Sequence, residues 1–244
     1  MSDPPSDRGP RGAFVVLEGL DRSGKTTQVK LLEQRFVEEG RPVKVMRFPD
    51  RTTVIGQMID GYLKSDVEMD DHVIHLLFSA NRWEAAKTME TLLSAGTSIL
   101  CDRYSHSGVA YSAAKRNPSL PLSWARAPER GLPRPDLVLF LDLPASEARR
   151  RGGFGEEVYE REGMQRRVRE IFLGMSDRSD RQEKQDDDDD DDDDKNRPDA
   201  GEAANGQGRQ VRARAAAAEV TVVDAAGSVE DVAENIWAVV KKSI

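Results

Sequence analysis

"FVVLEGLDRSGKTTQVKLL", residues 14–32, passes from a short apolar run through a glycine-framed turn into an amphipathic segment. Within it, Gly19 to Thr26 reads G-x-x-x-x-G-K-T. Glycines framing such a turn permit backbone angles and close approaches that a Cβ forbids, so consecutive N–H groups can face inward around a phosphate. The helix that follows adds the partial positive charge of its N-terminus. Gly19, Leu20, Asp21, Arg22, Ser23, Gly24, Lys25, Thr26 and Thr27 are therefore expected to cradle nucleotide phosphates. Lys25 would reach the β- and γ-phosphates and the Thr26 hydroxyl would ligate Mg²⁺. At average glycine usage the pattern arises by chance in about one chain in a hundred, and here it has the strand before it and the helix after it that the motif requires. Arg22 stays open on spacing alone: a cation that stabilises a transferring phosphoryl group, or an exposed arginine tolerated in a turn.

Outward from this stretch, strand-like runs alternate with helical patterns. Strands are expected at 14–18, 42–48, 98–102, 136–143 and 219–225, the fourth ("DLVLFLDL") being nearly continuous in apolar residues, as a strand covered on both faces is. Helices are expected at about 25–38, 53–63, 105–115, 123–127, 163–175 and 229–242. A longer helix begins at Asp70 or Asp71 and carries Val73, Leu76, Leu77, Ala80, Trp83 and Ala86 at helical spacing. This rhythm predicts an α/β fold: a three-layer P-loop NTPase sandwich with a five-stranded parallel sheet and helices on both faces. Residues 1–12 read as a disordered arm, 13–244 as one domain, and 177–214 as a disordered acidic insertion within it.

The net charge of −8 over 244 residues is carried by one feature, the nine aspartates of Asp186–Asp194. Everything else is nearly neutral, so no basic field argues for nucleic acid as a partner. The run itself could mimic nucleic acid or bind a basic protein, and its composition reads most simply as a solvated spacer. Cys101 is the sole cysteine and sits in an apolar strand, which fits a buried, inert thiol in a reducing compartment. No apolar run approaches the ~18 residues of a membrane helix, and the N-terminal residues carry no hydrophobic segment for secretion.

Asp102 and Arg103 end the third strand, and Phe48 and Arg51 follow the second. In an open parallel sheet the carboxyl ends of the strands form the ligand crevice. Asp102 is thus a candidate for orienting Mg²⁺ or its water, and Arg103 for bridging two phosphates. Phe78 and Arg82, four apart on the long helix, can offer a ring to stack a base and a guanidinium to read its edge, or can be ordinary core packing. His72, His75 and His106 form no metal-ligand spacing.

"GLDRSGKTTQ", "RFPDR", "HLLFSANRWE", "DRYSHSGVAY", "PDLVLFLDL" and "RRRGGFGEEVYE", in this order, resemble the thymidylate kinases of eukaryotic type over residues 13–175 and 219–242. The resemblance implies transfer of the γ-phosphoryl group of ATP to thymidine monophosphate (dTMP), with Mg²⁺, for which Thr26 and Asp102 are the expected ligands, by a homodimer; the expected setting is the cytoplasm, with the nucleus as a second candidate. It implies that Phe78 stacks thymine, Arg82 bonds its O4, Arg51 and Arg103 hold the acceptor phosphate, and Phe48 packs beneath. Asp21 would approach the 3′-hydroxyl, Tyr159 would crowd the 2′ position, Gln165 would lie near the substrate, and Tyr104, Ser107 and Gly108 would line the base pocket. Arg151 would lie beside the adenine. Because the lid core "GGFGEE" has no cation, Arg22 becomes the expected catalytic cation beside Lys25, Asp102 and Arg103. Tyr111 stands where the family suggests phenylalanine, and residues 115–135 are expected to lie outside the chemistry. The alternatives are a kinase for another nucleoside monophosphate or a deoxynucleoside, and a nucleotide-binding module without catalysis.

Overall fold

A computed structural model describes residues 10–144, 147–148, 157–176 and 220–244. The expectations for the arm, the acidic insertion and Arg151 fall wholly or mostly outside the described residues. The five strands are β1 (Phe14–Gly19), β2 (Val43–Arg47), β3 (Ser98–Asp102), β4 (Leu137–Asp142) and β5 (Val220–Asp224). They form one all-parallel sheet in the order β2-β3-β1-β4-β5, so the P-loop NTPase α/β sandwich read from the sequence holds. The three central strands are almost wholly buried, whereas β2 and β5 at the edges are half-exposed and interleave polar residues; β4, covered on both faces, is the nearly continuous apolar run.

Alternate residues serve opposite faces. Phe14, Val16, Ile99, Cys101, Val138 and Phe140 face one core with α2 (Val54–Leu63), α3 (Asp71–Ser94), α4 (Ser105–Ala114) and α6 (Glu162–Ser176). Val15, Leu17, Leu100, Leu139 and Leu141 face the other, with α1 (Lys25–Glu38) and α7 (Val229–Ser243). Thr53 caps α2 by accepting from the Gly56 N–H, Asp70 caps α3 from the His72 N–H, and Ser228 caps α7 from the Asp231 N–H. After α4 the chain makes α5 (Leu122–Arg126) and a 3₁₀ turn (Ala127–Glu129) before entering β4.

The long helix departs from its expected packing. Val73, Leu76 and Trp83, three members of the apolar stripe, are 49%, 46% and 43% exposed. The inward face carries Ala86 of that stripe, with Ile74 and Met89, together with buried His75, Ser79, Asn81 and Arg82. Helical spacing identifies an apolar face but not what covers it, and here the inward polar residues are each partnered: His75 by Ser112 and the Ala125 carbonyl, Ser79 by the Pro128 carbonyl, Asn81 by Asp50 and Arg82 by Glu129.

β1 lies between β3 and β4, so the chain crosses first to one side of it and then to the other. The strands' carboxyl ends at Gly19, Arg47 and Asp102 therefore open onto a crevice at the switch point.

Candidate active site

A cavity of about 740 Å³ opens at this crevice. Its floor is the turn between β1 and α1. Gly19 (φ +156°) and Gly24 (φ +94°) hold backbone angles disfavoured for other residues, and a Cβ on Gly19 would stand 2.5 Å from Ser23 Oγ and 2.9 Å from the Leu141 carbonyl oxygen. Gly24 precedes α1 without a side-chain cap, leaving the first-turn N–H groups directed at the loop. Lys25 curls over it: Nζ donates to the Leu20 carbonyl at 2.5 Å and to Ser23 Oγ at 3.3 Å. Burial, and secondarily the Arg103 guanidinium, pull the Lys25 ammonium down to about 7. Thr26 Oγ1 donates to Asp102 Oδ2 at 2.6 Å, so the two expected Mg²⁺ ligands are in contact. Thr27 also lines the cavity.

Arg103 ties the loop to the end of β3. Its backbone has φ +68°, and its guanidinium donates to the Gly19 carbonyl (2.8 Å), Ser107 Oγ (3.2 Å) and Asp21 Oδ1 (2.5 Å). Burial works against the Asp21 carboxylate, but Arg103 and Lys25 outweigh it and hold its pKa below the usual range. Gln165 grips the same residue, accepting from the Asp21 N–H at 3.1 Å and donating to Oδ2 at 2.7 Å. Tyr111, the departure from the family pattern, places its hydroxyl 3.4 Å from Asp21 Oδ2. Arg22 (φ +66°) also lines the cavity, with Nη2 3.7 Å from Glu160.

Farther along, Arg51 is held by Asp60 at 2.6 Å and Glu157 at 2.7 Å. Its loop is fixed by buried Asn81, which accepts from the Asp50 N–H and donates to the Asp50 carbonyl and Thr53 Oγ1. The Phe48 ring packs on Tyr104 with centroids 5.7 Å apart. Phe78, Arg82, Ser107, Gly108 and Tyr159 complete this end, Tyr159 lying 5.2 Å from the Tyr111 ring. Arg82 is not free: Nε donates to Glu129 Oε2 at 2.8 Å and Nη2 to Oε1. The segment 115–135, expected to lie outside the chemistry, thus sends a carboxylate to the base-reading candidate.

The cavity gathers every expected site residue among those described except Gly19, Leu20 and Gln165, which adjoin it through the loop and Asp21. Sequence reasoning missed Glu18, Asn81, Glu129, Glu157 and Glu160, and also Ala225, Gly227, Ser228 and Val229, which wall the cavity after β5. For the last group a signal existed, since Gly227 and Ser228 punctuate a strand end in the same way as the first loop. The carboxylates gave none, because their partners are remote in sequence.

The family described as "Thymidylate kinase" matches residues 17–184. A thymidylate kinase of Arabidopsis thaliana is 51% identical over 70% of this chain and 64% of its own length. One of Danio rerio is 50% identical over 66% of this chain and 76% of its own. The solved structure of the Candida albicans thymidylate kinase superposes with a TM-score of 0.72 at 31% identity, covering 95% of this chain and 92% of that one. With these relatives, and with a family match over most of its length, this chain belongs to the thymidylate kinase family, whose members phosphorylate dTMP to dTDP.

Proposed function

We propose that this chain transfers the γ-phosphoryl group of ATP to dTMP in the cavity above β1 and β3. The observation that carries this reading is one cavity lined both by a phosphate loop and by Arg51, Arg103, Phe78 and Arg82. Two arginines beyond the loop call for an acceptor that already bears a phosphate. Such a monoester is largely dianionic at neutral pH, so its oxygen attacks without a general base. Catalysis then rests on positioning and charge stabilisation. The loop N–H groups and Lys25 hold the donor, Arg51 and Arg103 hold the acceptor, and Arg22 meets the charge that develops between them. Asp21, gripped by Arg103 and Gln165, faces the sugar's 3′-hydroxyl, and Tyr159 crowds its 2′ position.

Thr26 and Asp102 would hold Mg²⁺, which when bound supplies positive charge to the donor phosphates. Their hydroxyl and carboxylate oxygens are hard donors, already 2.6 Å apart. Among the described residues no cluster of three or more His, Cys, Asp or Glu side chains could hold a metal, and an ion riding on phosphates requires only one or two protein oxygens. The buried lone thiol of Cys101 supports a cytoplasmic or nuclear setting, and no described helix is long and apolar enough to cross a membrane. A homodimer is supported by the uncovered apolar residues Val54 and Met58 on α2 and Val73, Leu76 and Trp83 on α3.

Arg22→Ala is expected to lower kcat by ~10²-fold or more with little change in KM, since the interaction forms in the transition state; wild-type kcat would remove Arg22 from the chemistry. Lys25 gives a pH signature. Its folded-state pKa is depressed to about 7, so at pH 8 the free protein holds it mostly neutral. ATP restores the ammonium and draws a proton from solvent, whereas at pH 6 the proton is already bound. Calorimetry in buffers of different ionisation enthalpy should show greater proton uptake at pH 8 than in Lys25→Met, and no difference between the two proteins at pH 6. Equal uptake by both at pH 8 contradicts the assignment. By sedimentation the protein should be a dimer, and a Val73→Glu/Leu76→Glu double variant a monomer; a monomeric wild type at micromolar concentration overturns the interface.

A further inference from the structure

The Arg82–Glu129 pair is the most deeply buried ion pair among the described residues, with side chains 2% and 8% exposed. Glu129 ends the 3₁₀ turn after α5, 47 residues from its partner. Its carboxylate engages Nε and Nη2 side by side, a bidentate contact that fixes the guanidinium plane. The opposite flank is closed by α4. A Cβ on Gly108 would stand 2.5 Å from Nη2 and 3.3 Å from Nη1, so only glycine lets the guanidinium lie this close to the helix. Clamped between Glu129 and Gly108, Arg82 has its Nη1 N–H groups left to offer the cavity it lines.

We infer that Glu129 is a positioning residue for base selection: it locks the Arg82 guanidinium plane and cancels its charge, so the pocket end reads a neutral carbonyl edge. The inference rests on the proposed role of Arg82 as reader of the thymine O4. An arginine donates hydrogen bonds and accepts none, so a fixed Nη1 suits the O4 carbonyl of thymine and opposes the exocyclic amine of cytosine. A guanidinium free to swing would discriminate less, and one without a counter-charge would favour anions over a neutral base at this end.

A purely structural role for Glu129 makes a different prediction. The segment around it is also fastened to α3 by Trp83 Nε1 and Ser79 Oγ, which both donate to the Pro128 carbonyl, and by His75, which pairs with the Ala125 carbonyl at 2.9 Å. These contacts do not involve Glu129, so its substitution should leave the segment docked.

The test measures dissociation constants of dTMP, dCMP and ATP by calorimetry on the full chain, with thermal midpoints alongside. Glu129→Gln should weaken dTMP ~10- to 100-fold, the scale of losing a buried charge-assisted contact. It should narrow the preference for dTMP over dCMP by about tenfold and leave ATP within about twofold. Glu129→Asp, one methylene shorter, should recover part of the preference, and it decides the question alone should Glu129→Gln not fold. Arg82→Met leaves Glu129 buried and unpaired, so the double variant Arg82→Met/Glu129→Gln is the better-folded comparison. It should show the same lost preference as Glu129→Gln, with no further loss.

If the double variant keeps the full preference for dTMP, Arg82 does not read the base and the underlying reading fails. If the double variant loses the preference while Glu129→Gln retains it, or Glu129→Asp in its place retains it undiminished, Arg82 reads the base unaided and the inference about Glu129 is overturned. A lowered thermal midpoint with an unchanged preference overturns it equally, since Glu129 would then be a clamp for the segment only.

Discussion

The carboxylate of Glu18 is the contact from which the site is built. It sits at the end of β1, fully buried, and accepts from the Tyr104 N–H (2.9 Å), the Ser107 N–H (3.0 Å) and Ser107 Oγ (2.5 Å). Burial pushes its pKa up, and Ser107 with the Arg103 charge work against that rise. These bonds fasten the start of α4 to the strand that leads into the phosphate loop. Arg103, one residue before Tyr104, is thereby turned back across the loop to reach Gly19 and Asp21. The phosphate loop and the Arg103 guanidinium become one mechanical unit, the rigidity that the proposed in-line transfer between two phosphates would require.

The cations of the cavity are preorganised by carboxylates, and the degree of burial separates their tasks. Arg51 is 36% exposed and shared between Asp60 and Glu157, both themselves partly exposed, and it lines the cavity. Arg103 is 15% exposed and paired with Asp21. Arg82 is closed off with Glu129. The gradient runs from a half-exposed arginine with two shared partners to one ion pair closed off from solvent. Lys25 completes the pattern, an ammonium whose pKa burial lowers to about 7.

The features legible in the sequence were those encoded locally. The phosphate loop declares itself by glycine spacing, and the fourth strand by the apolar run 137–141. The sheet follows from the alternation of strands with helices, and the site residues at strand ends follow from the geometry of any open parallel sheet. What escaped depends on contacts distant in the chain. Glu129 lies in a segment of prolines and arginines with no periodicity, and only the packing of the 3₁₀ turn on α3 brings it to Arg82. Asn81 sits inside a recognised motif, yet its task of holding the Asp50 backbone appears only once α3 lies under that loop. The apolar spacing on α3 was legible, but not that Leu77 and Ala86 pack in the core while Val73, Leu76 and Trp83 are half exposed, since periodicity cannot distinguish a face buried within one chain from one uncovered in it.

The central claim is that two anion sites and a base pocket in one cavity make this chain a kinase for thymidine monophosphate. The most direct measurement is ADP release by the purified protein with ATP and Mg²⁺, offering dTMP, dCMP, dGMP and thymidine in turn. The structure predicts turnover with dTMP at the highest kcat/KM, slower or no turnover with dCMP and dGMP, and none with thymidine, which lacks the phosphate that Arg51 and Arg103 await. Turnover of thymidine at a rate matching dTMP, or no ADP release with dTMP, would contradict it.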